Sequence, residues 1–397
     1  MLRLAALALV LGLASPARAE VPAPIEDASG QALDAFHRSL RRTARGLGQT
    51  RILQFGASHT AADLFTGYLR HFFQARFGDA GHGYIMPAKP WPGYKHLDVH
   101  LESSAGWLTE RAGAPDSRDD GLYGLAGFAC SSSSKDDWAW VGTSPKSPFG
   151  KNVSRFEVFY LAQPSGGSFD LLVDGEPYER VQSRAATASA GYTVLRVPDG
   201  PHTLEIRPLG DGEVRLLGTV MERTAPGVVV DTLGINGARA AVQLRWDEAL
   251  WRSQIRRRAP DLVLLAYGTN ESGDDGEPID RYEQHLRTVL ERVRGAVPYA
   301  SCVLVGPTDR PVKSGRRFEP RARTDEVIRV QRDVGARFGC GFWDAYRAMG
   351  GPLSIVRWAN ARPPLAQKDH VHLTAKGYAV LSEGIALALL EGYSKRD

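Results

Sequence analysis

Cysteine is scarce in this sequence, with three among 397 residues, which excludes a fold held together mainly by disulfides. An excess of one charge sign is also absent: 49 basic residues face 45 acidic ones, and the longest basic run is Arg256–Arg258. Basic and aromatic residues are not interleaved as in nucleic-acid-binding segments, so nucleic acid is not an expected partner. Apolar runs are short as well, and none is long enough to cross a lipid bilayer.

The first 19 residues have the parts of a secretory signal. An arginine near the start precedes a short apolar core, and Ala17–Ala19 provides the small-x-small pattern of a cleavage site. We therefore predict a signal peptide over residues 1–19, a mature start near Glu20, and an exported protein of the periplasm or the extracellular space. An uncleaved N-terminal anchor is the alternative interpretation of this segment.

Two of the three cysteines occupy similar places in the sequence. Cys302 and Cys340 each stand at the start of a predicted strand, in SCVLVG and GCGFWDA. Neighbouring strands would bring them together as a disulfide and leave Cys130 unpaired. The alternative is that the cysteines are small buried hydrophobic residues.

Strand and helix patterns alternate through most of the chain. The strands are continuous apolar runs, which indicates burial on both faces and hence a mostly parallel sheet between two layers of helices. Predicted strands are Arg51–Phe55 and the segments GVVVDTLGI, DLVLLAYG, SCVLVGP and GFWDAY. Predicted helices run from about 31 to 47, 62 to 77, 238 to 257, 279 to 294, 323 to 338 and 374 to 393. The predicted fold class is a three-layer α/β fold.

The pattern changes between Lys95 and Thr224. Short segments of alternating polarity, such as SRFEVFYLA and PHTLEIRPL, are separated by Asp-Gly and Gly-Gly turns. This pattern is typical of an all-β sandwich. Because α/β strands flank it on both sides, we predict a jelly-roll-like sandwich over residues 95–224, inserted into one α/β domain formed by residues 20–94 and 225–397.

Ser58 lies in a glycine turn, GASHT, between a predicted buried strand and a helix. Ligands of doubly wound sheets bind beyond the carboxyl ends of the strands, and backbone N–H groups at a helix start favour negative charge. A serine there becomes a nucleophile only with a general base, a group that orients the base, and an oxyanion hole. Without them the turn is an ordinary helix start.

The segment QKDHVHLTAKGY supplies a candidate base. Asp369 precedes His372 by three residues where the last helix begins, so the carboxylate could orient the imidazole while its other nitrogen accepts the serine proton. In a structural interpretation, Asp369 caps the loop and His372 packs. A third interpretation takes Asp369, His370 and His372 as metal ligands, but no further ligand cluster accompanies them, and no metal is expected.

Two further strand ends complete the set. Gly237, in DTLGINGARA, offers a backbone N–H, and Asn270, in LLAYGTNES, offers a side-chain amide. Each is a common turn residue by itself. Together with the N–H of Ser58 they would form an oxyanion hole.

In this order, Ser58, Gly237, Asn270 and the Asp369–His372 pair resemble the four blocks of the SGNH (GDSL-like) hydrolase family. The stretch GASHTAADLFTGYLRHFFQARFGDAGHGY, with MPAKPW, LGINGARA and GTNE, is similar to the peptidoglycan O-acetylesterases of that family. The resemblance implies serine-esterase chemistry and an inserted β-sandwich similar to a carbohydrate-binding module. The family's first block reads Gly-Asp-Ser, whereas Ala57 stands before Ser58 here; Asp63 is a candidate to replace the missing carboxylate.

Aromatic residues near the insertion are candidate glycan contacts. Trp91 and Tyr94 lie in a proline-rich segment, IMPAKPWPGYKH, that either stacks on sugar rings or packs at the domain junction. Trp138 and Trp140 lie two residues apart, and they form either a sugar platform or part of the core.

From these features we expect an exported serine esterase, with no cofactor, that removes O-acetyl groups from a cell-envelope polysaccharide. Peptidoglycan is the polysaccharide that we expect. Ser58 is the expected nucleophile, and His372 with Asp369 the expected base and its orienting group. One alternative is an acyltransferase that uses the same triad. The other is a catalytically impaired glycan-binding protein, because Ala57 replaces the family aspartate.

Overall fold

The computed structural model describes residues 23–86 and 88–393, so the predicted signal peptide lies outside the described residues. The helices are α1 (Asp34–Ala44), α2 (Ser58–Ala61), α3 (Leu64–Phe77), α4 (Glu248–Arg258), α5 (Ile279–Ala296), α6 (Ala322–Arg337), α7 (Ala345–Ala348), α8 (Ser354–Asn360) and α9 (Ala375–Leu389), with 3₁₀ turns at Ala240–Arg245 and Glu271–Gly273. The strands are β1 (Ile25–Glu26), β2 (Gln49–Gly56), β3 (Gly81–Ile85), β4 (Val99–Ser103), β5 (Leu108–Arg111), β6 (Phe128–Ser132), β7 (Ala139–Thr143), β8 (Val153–Ala162), β9 (Ser168–Val173), β10 (Glu176–Gln182), β11 (Ser189–Gly200), β12 (Thr203–Pro208), β13 (Val214–Glu222), β14 (Gly227–Gly234), β15 (Leu262–Ala266), β16 (Ser301–Val305), β17 (Val312–Ser314), β18 (Arg317–Glu319) and β19 (Gly341–Trp343).

The central sheet has the strand order β1-β19-β16-β15-β2-β14. Its strands are parallel except for β1, which pairs antiparallel with β19. Every residue of β14 and β16 is buried, as the continuous apolar runs predict for strands covered on both faces. The predicted mostly parallel sheet is confirmed.

Helices pack on both faces of this sheet. On one face α1, α3 and α9 contribute Phe36, Phe73 and Ile385 to a single apolar cluster. On the other face, α4, α5 and α6 contribute residues such as Trp251 and Val327 to a second cluster. The sheet therefore lies between two helical layers, which is the predicted three-layer α/β arrangement.

Two predicted helices start differently in the structure. The helix predicted over 62–77 is α3, which begins at Leu64, and a short helix that was not predicted, α2, precedes it. Asp63, with φ of 50°, adopts a left-handed conformation and separates α2 from α3. Further along, the predicted helix from Ala238 is a 3₁₀ turn followed by α4. The side chain of Asp247 accepts a hydrogen bond from Leu250 N–H and so marks the start of α4.

The β-rich region forms two antiparallel sheets. One has the order β10-β9-β12-β7-β4, and the other has the order β11-β8-β13-β6-β5 with β3 paired to β13. Phe156, Phe169 and Leu204 lie in the apolar core of this region. The fold with an inserted β-rich region is confirmed; the limits 95 and 224 stay predictions, and β3 joins the second sheet from before residue 95.

A buried charge network joins the two regions. Arg258 of α4 donates hydrogen bonds to Asp231 of β14 and to Glu222 of β13, at 2.6 Å each. Arg51 of β2 donates to the same Glu222 at 2.9 Å. Burial alone would raise the pKa of Glu222, but the neighbouring guanidinium groups of Arg258 and Arg51 hold it well below its ordinary value. Glu222 is therefore ionised, and it ties the sandwich to the central sheet.

The cysteines follow the first of the two expected interpretations. Cys302 and Cys340 form a disulfide between neighbouring strand segments, and Cys130 is a buried free thiol. Among residues 23–86 and 88–393, no helix combines the length and apolar character needed to cross a membrane.

Candidate active site

Three of the predicted site residues follow neighbouring strands of the central sheet. Gly56, at the end of β2, pairs with the last residue of β14 on one side and of β15 on the other. Ser58, Gly237 and Asn270 come two, three and four residues after these strand ends. Because parallel strands end at the same edge of a sheet, the structure collects all three residues at the carboxyl edge, where ligands bind in such folds.

Ser58, His372 and Asp369 form a continuous chain of hydrogen bonds. His372 Nε2 lies 3.0 Å from Ser58 Oγ, and His372 Nδ1 lies 2.7 Å from Asp369 Oδ2. The other carboxylate oxygen, Asp369 Oδ1, accepts hydrogen bonds from the N–H groups of Val371 and His372, each at 3.0 Å. The imidazole therefore has one nitrogen oriented by a carboxylate and the other directed at the hydroxyl.

The charge state of Asp369 suits this arrangement. Partial burial raises its pKa, but the hydrogen bonds from the His372 side chain and from the backbone of His372 and Val371 outweigh burial and hold the pKa below its ordinary value. Asp369 is thus ionised at neutral pH. The chain then enters α9 at once, because Thr374 caps that helix by accepting a hydrogen bond from Gly377 N–H at 3.2 Å.

The loops that carry Gly237 and Asn270 are fastened to each other. Asn270 Nδ2 donates a hydrogen bond to Ala238 O at 2.8 Å and keeps a second N–H, since an amide nitrogen has two. Gly237 is exposed, and its φ of 75° is one that glycine adopts readily. The two expected oxyanion donors therefore stand on adjoining loops.

Glu271 holds the same two loops together through hydrogen bonds to their backbones. It was not predicted as a site residue. Its buried carboxylate accepts hydrogen bonds from Ala240 N–H at 2.8 Å and from Gly268 N–H at 2.9 Å. Burial raises its pKa, and the backbone donors oppose that rise. The signal in the sequence that could have pointed to Glu271 is its position directly after Asn270, in GTNE.

The comparisons agree with this geometry. The model of the GDSL-like Lipase/Acylhydrolase family matches residues 190–380, a range that contains Gly237, Asn270, Asp369 and His372. Over this range the chain is similar to the GDSL-like hydrolases. A solved structure described as "Peptidoglycan O-acetylesterase in action, 5 min" is 28% identical, has a TM-score of 0.76, and aligns over 91% of this chain and 96% of its own.

Two further solved structures have lower TM-scores with this chain. A mutant of Axe2, an acetyl-xylooligosaccharide esterase from Geobacillus stearothermophilus, is 20% identical with a TM-score of 0.32, over 41% of this chain and 73% of its own. A family two carbohydrate esterase from Clostridium thermocellum is 12% identical with a TM-score of 0.30, over 72% and 98%. A search of curated proteins found no match.

His59 is a second residue of the candidate active site that the sequence argument missed. Its ring is buried, with Nδ1 2.8 Å from Tyr378 Oη and Nε2 3.2 Å from Thr308 Oγ1. Burial, with a smaller contribution from His372, lowers the pKa of His59 to about 3, so the ring is neutral. His59 thus links the Ser58 turn to α9 and to the loop after β16, and its place beside Ser58 was the only signal.

Asp63 does not replace the carboxylate that Ala57 lacks. Its oxygens accept hydrogen bonds from Thr66, Arg70 and Thr232, and none from Ser58. Burial alone would raise the pKa of Asp63, but the Arg70 guanidinium holds it well below its ordinary value. Asp63, the residue before α3, therefore belongs to a buried ion pair with Arg70 of that helix. The bonds of His59 provide the anchoring of the turn instead.

The predicted aromatic contacts separate into two groups. Tyr94 is only 5% exposed, and Trp91 packs against it and against Phe128, so both take part in packing at the junction. Trp138 is half-buried just before β7, whereas Trp140, within β7, lines a cleft of about 550 Å³. That cleft runs from the start of α3 to β4, and its lining includes Ala62, Leu64, Tyr94 and Leu101 together with Trp140.

Asp369, His370 and His372 do not form a metal-binding group with other residues described by the structure. His370 has a φ of 56°, and its ring centroid lies 4.3 Å from that of Phe318. Among the residues described by the structure, no group of three or more His, Cys, Asp or Glu side chains is placed to hold a metal ion.

Proposed function

We propose that this protein is an exported serine esterase that removes O-acetyl groups from a cell-envelope polysaccharide, and that this polysaccharide is peptidoglycan. The observation that carries the proposal is the hydrogen-bonded chain Ser58–His372–Asp369. The substrate class is supported by the similarity, over nearly the whole chain, to a structure described as a peptidoglycan O-acetylesterase.

The first half of the reaction forms an acetyl-enzyme. His372 Nε2 takes the proton of Ser58 Oγ as that oxygen attacks the ester carbonyl carbon, and ionised Asp369 stabilises the imidazolium that results. The carbonyl oxygen becomes an oxyanion, which accepts hydrogen bonds from the N–H groups of Ser58 and Gly237 and from the free N–H of Asn270. The bond between the carbonyl carbon and the sugar oxygen then breaks, and the His372 imidazolium gives its proton to that oxygen, which leaves as a sugar hydroxyl.

The second half repeats these steps with water. A water molecule gives its proton to His372 while its oxygen attacks the acetyl carbon on Ser58. The second tetrahedral intermediate uses the same three donors, and its collapse restores the Ser58 hydroxyl and releases acetate. No proton or electron is consumed beyond those of the water, so the residues of this chain are sufficient for the reaction.

The cleft beside α3 provides a place for the polymer. It begins at Ala62, one turn of chain after Ser58, and its far wall is formed by Leu101 and Trp140 of the β-rich region. An indole next to a groove is a surface on which a sugar ring can stack. In this proposal the α/β region cleaves the ester, and the sandwich selects the polymer.

Two measurements test the proposal. Reaction with a fluorophosphonate, followed by intact mass and peptide mapping, should modify Ser58 in the wild-type protein and nothing in the Ser58→Ala variant. Acetate release should be greater from O-acetylated peptidoglycan than from acetylated xylan at equal acetyl content. Absence of Ser58 labelling would favour the glycan-binding alternative, and faster release from xylan would overturn the choice of polymer.

A further inference from the structure

A second cleft opens beside the candidate catalytic acid. Its volume is about 340 Å³, and its lining includes Arg310, Lys313, Phe318, Lys368 and Asp369. Three of these five side chains are cationic and one is anionic. The cleft therefore differs in character from the cleft at Trp140, and it lies against the loop that holds His372.

The cations of this cleft have no carboxylate partners. Among the described residues, Arg310, Lys313 and Lys368 take part in no ion pair. Arg310 Nη1 donates to the backbone oxygen of Thr269 at 2.9 Å, which orients the guanidinium without neutralising it. Like charges held close together repel each other, so such a group raises the local concentration of anions.

Neighbouring arginines behave differently. Arg239 pairs with Asp274, and Arg321 pairs with Asp275, and both carboxylates lie near enough to Arg310 to act on its charge. Carboxylates are thus within reach of this region, yet they neutralise the arginines outside the cleft.

The one carboxylate in the lining, Asp369, bonds to the loop that carries His372. Asp369 Oδ2 bonds to the His372 ring, and Oδ1 bonds to two backbone N–H groups. It forms no ion pair with Lys313 or Arg310. Phe318 of the short hairpin β17–β18 packs on His370 and keeps that hairpin, with Lys313 on it, against the catalytic loop.

We propose that this cleft binds a carboxylate carried by the polymer whose acetyl ester reacts at Ser58, so that the enzyme prefers acetylated glycans with free carboxylates. The inference rests on the proposed function and adds to it the charge of the substrate. Guanidinium and ammonium groups together suit a carboxylate, which accepts several charge-assisted hydrogen bonds at once. The carboxylate belongs either to a sugar or to a peptide attached to the sugar chain.

The test compares two forms of one substrate. An O-acetylated glycan with free carboxylates is assayed beside the same glycan after its carboxylates are converted to methylamides. We expect the wild-type kcat/KM to be about tenfold higher for the charged form at low ionic strength, and this ratio to approach one at about 0.5 M salt. Equal rates on both forms at low salt would overturn the inference.

Charge reversal locates the effect. Lys313→Glu should reduce the charged-to-amidated ratio from about ten to about one, and Lys313→Arg should retain it. Lys151→Glu is the matched control, because Lys151 is also exposed but lies between β7 and β8, away from this cleft. A ratio that falls equally in the Lys313→Glu and Lys151→Glu variants would show a general charge effect and would contradict the assignment.

The Ser58→Ala variant separates this inference from the proposed function. Binding of that variant to both forms of the glycan is measured without turnover, for a uronic-acid polymer and for a glycan with peptide side chains. Tighter binding to either charged polymer supports the cleft and identifies the source of the carboxylate. If no acetylated glycan releases acetate with the wild-type protein, the proposed function fails, while the binding result still decides on the cleft.

Discussion

The parallel and antiparallel regions of this molecule differ in what their strand ends can build. In the central sheet, β2, β14 and β15 run the same way, and residues that follow them meet at one edge. In the sandwich, neighbouring strands run in opposite directions, so their ends are divided between two edges. The parallel region therefore brings the proposed catalytic groups together, whereas the antiparallel region contributes Leu101 and Trp140 to one wall of the larger cleft.

The largest expected effect lies in the parallel region. Ser58→Ala and His372→Ala should each reduce hydrolysis of a small acetyl ester by about 10³-fold or more, because they act as one unit. For the same reason the double variant should lose little more than either single variant. Steady-state rates of p-nitrophenyl acetate hydrolysis check this, and near wild-type turnover by His372→Ala would remove the triad from the mechanism.

Asn270→Ala tests the loop that follows β15. Loss of one oxyanion donor should lower kcat by about 10²–10³-fold with little change in KM. The side chain also bonds to Ala238 O, so thermal melting must accompany the kinetics. A variant with full activity per folded molecule and a lower melting temperature would make Asn270 structural only.

The pH dependence of stability probes the neutral histidine behind the nucleophile. His59 has a folded-state pKa of about 3, well below that of an exposed histidine. Below about pH 6.5 the unfolded chain takes up a proton that the folded chain does not, so stability falls as pH falls towards the folded-state value. His82 and His96, with pKa values lowered by burial to about 4 and about 3, act in the same sense near the junction.

Each of these histidines contributes a slope of up to about 1.4 kcal/mol per pH unit, a tenfold change in the unfolding constant. Urea unfolding at several values between pH 6.5 and 4.5 should give a shallower dependence for His59→Gln than for the wild type. An unchanged slope would mean that His59 is already protonated in the folded protein.

The smallest expected effect lies in the antiparallel region. Trp140→Ala should lower the ratio of polymer rate to small-ester rate by about three- to tenfold, whereas Trp138→Ala, outside the cleft, serves as its matched control. The ratio is measured on variants that melt cooperatively. Equal ratios for the two variants would mean that the sandwich has a structural role only. Selection of the polymer could then not be assigned to it.

The sequence predicted the features that depend on local spacing. Continuous apolar runs identified the parallel sheet, and the Asp369–His372 spacing at a helix start placed the two side chains within 2.7 Å. Features that depend on distant partners were not accessible in the same way. The bonds of His59 reach Thr308 and Tyr378, which lie 249 and 319 residues along the chain.

Side-chain direction was the other limit. Trp138 and Trp140 share a face only if both are in the strand, and β7 begins between them, at Ala139. Likewise, Tyr94 looked available in a proline-rich loop, but its hydroxyl accepts a hydrogen bond from Met86 N–H inside the core. A shift of one residue in the start of a strand, or a single buried hydrogen-bond partner, decides whether an aromatic side chain can reach a ligand. Neither can be predicted from composition.

The position of β2 between β14 and β15 has a consequence for biosynthesis. Its two partners, β14 and β15, begin at Gly227 and Leu262, so this apolar strand has no neighbour until more than half of the chain has been made. Contacts so far apart in sequence slow folding, and an unpaired apolar strand invites association with other chains. The long delay between β2 and its partners leaves this strand open to association with other chains while the rest of the protein is being made.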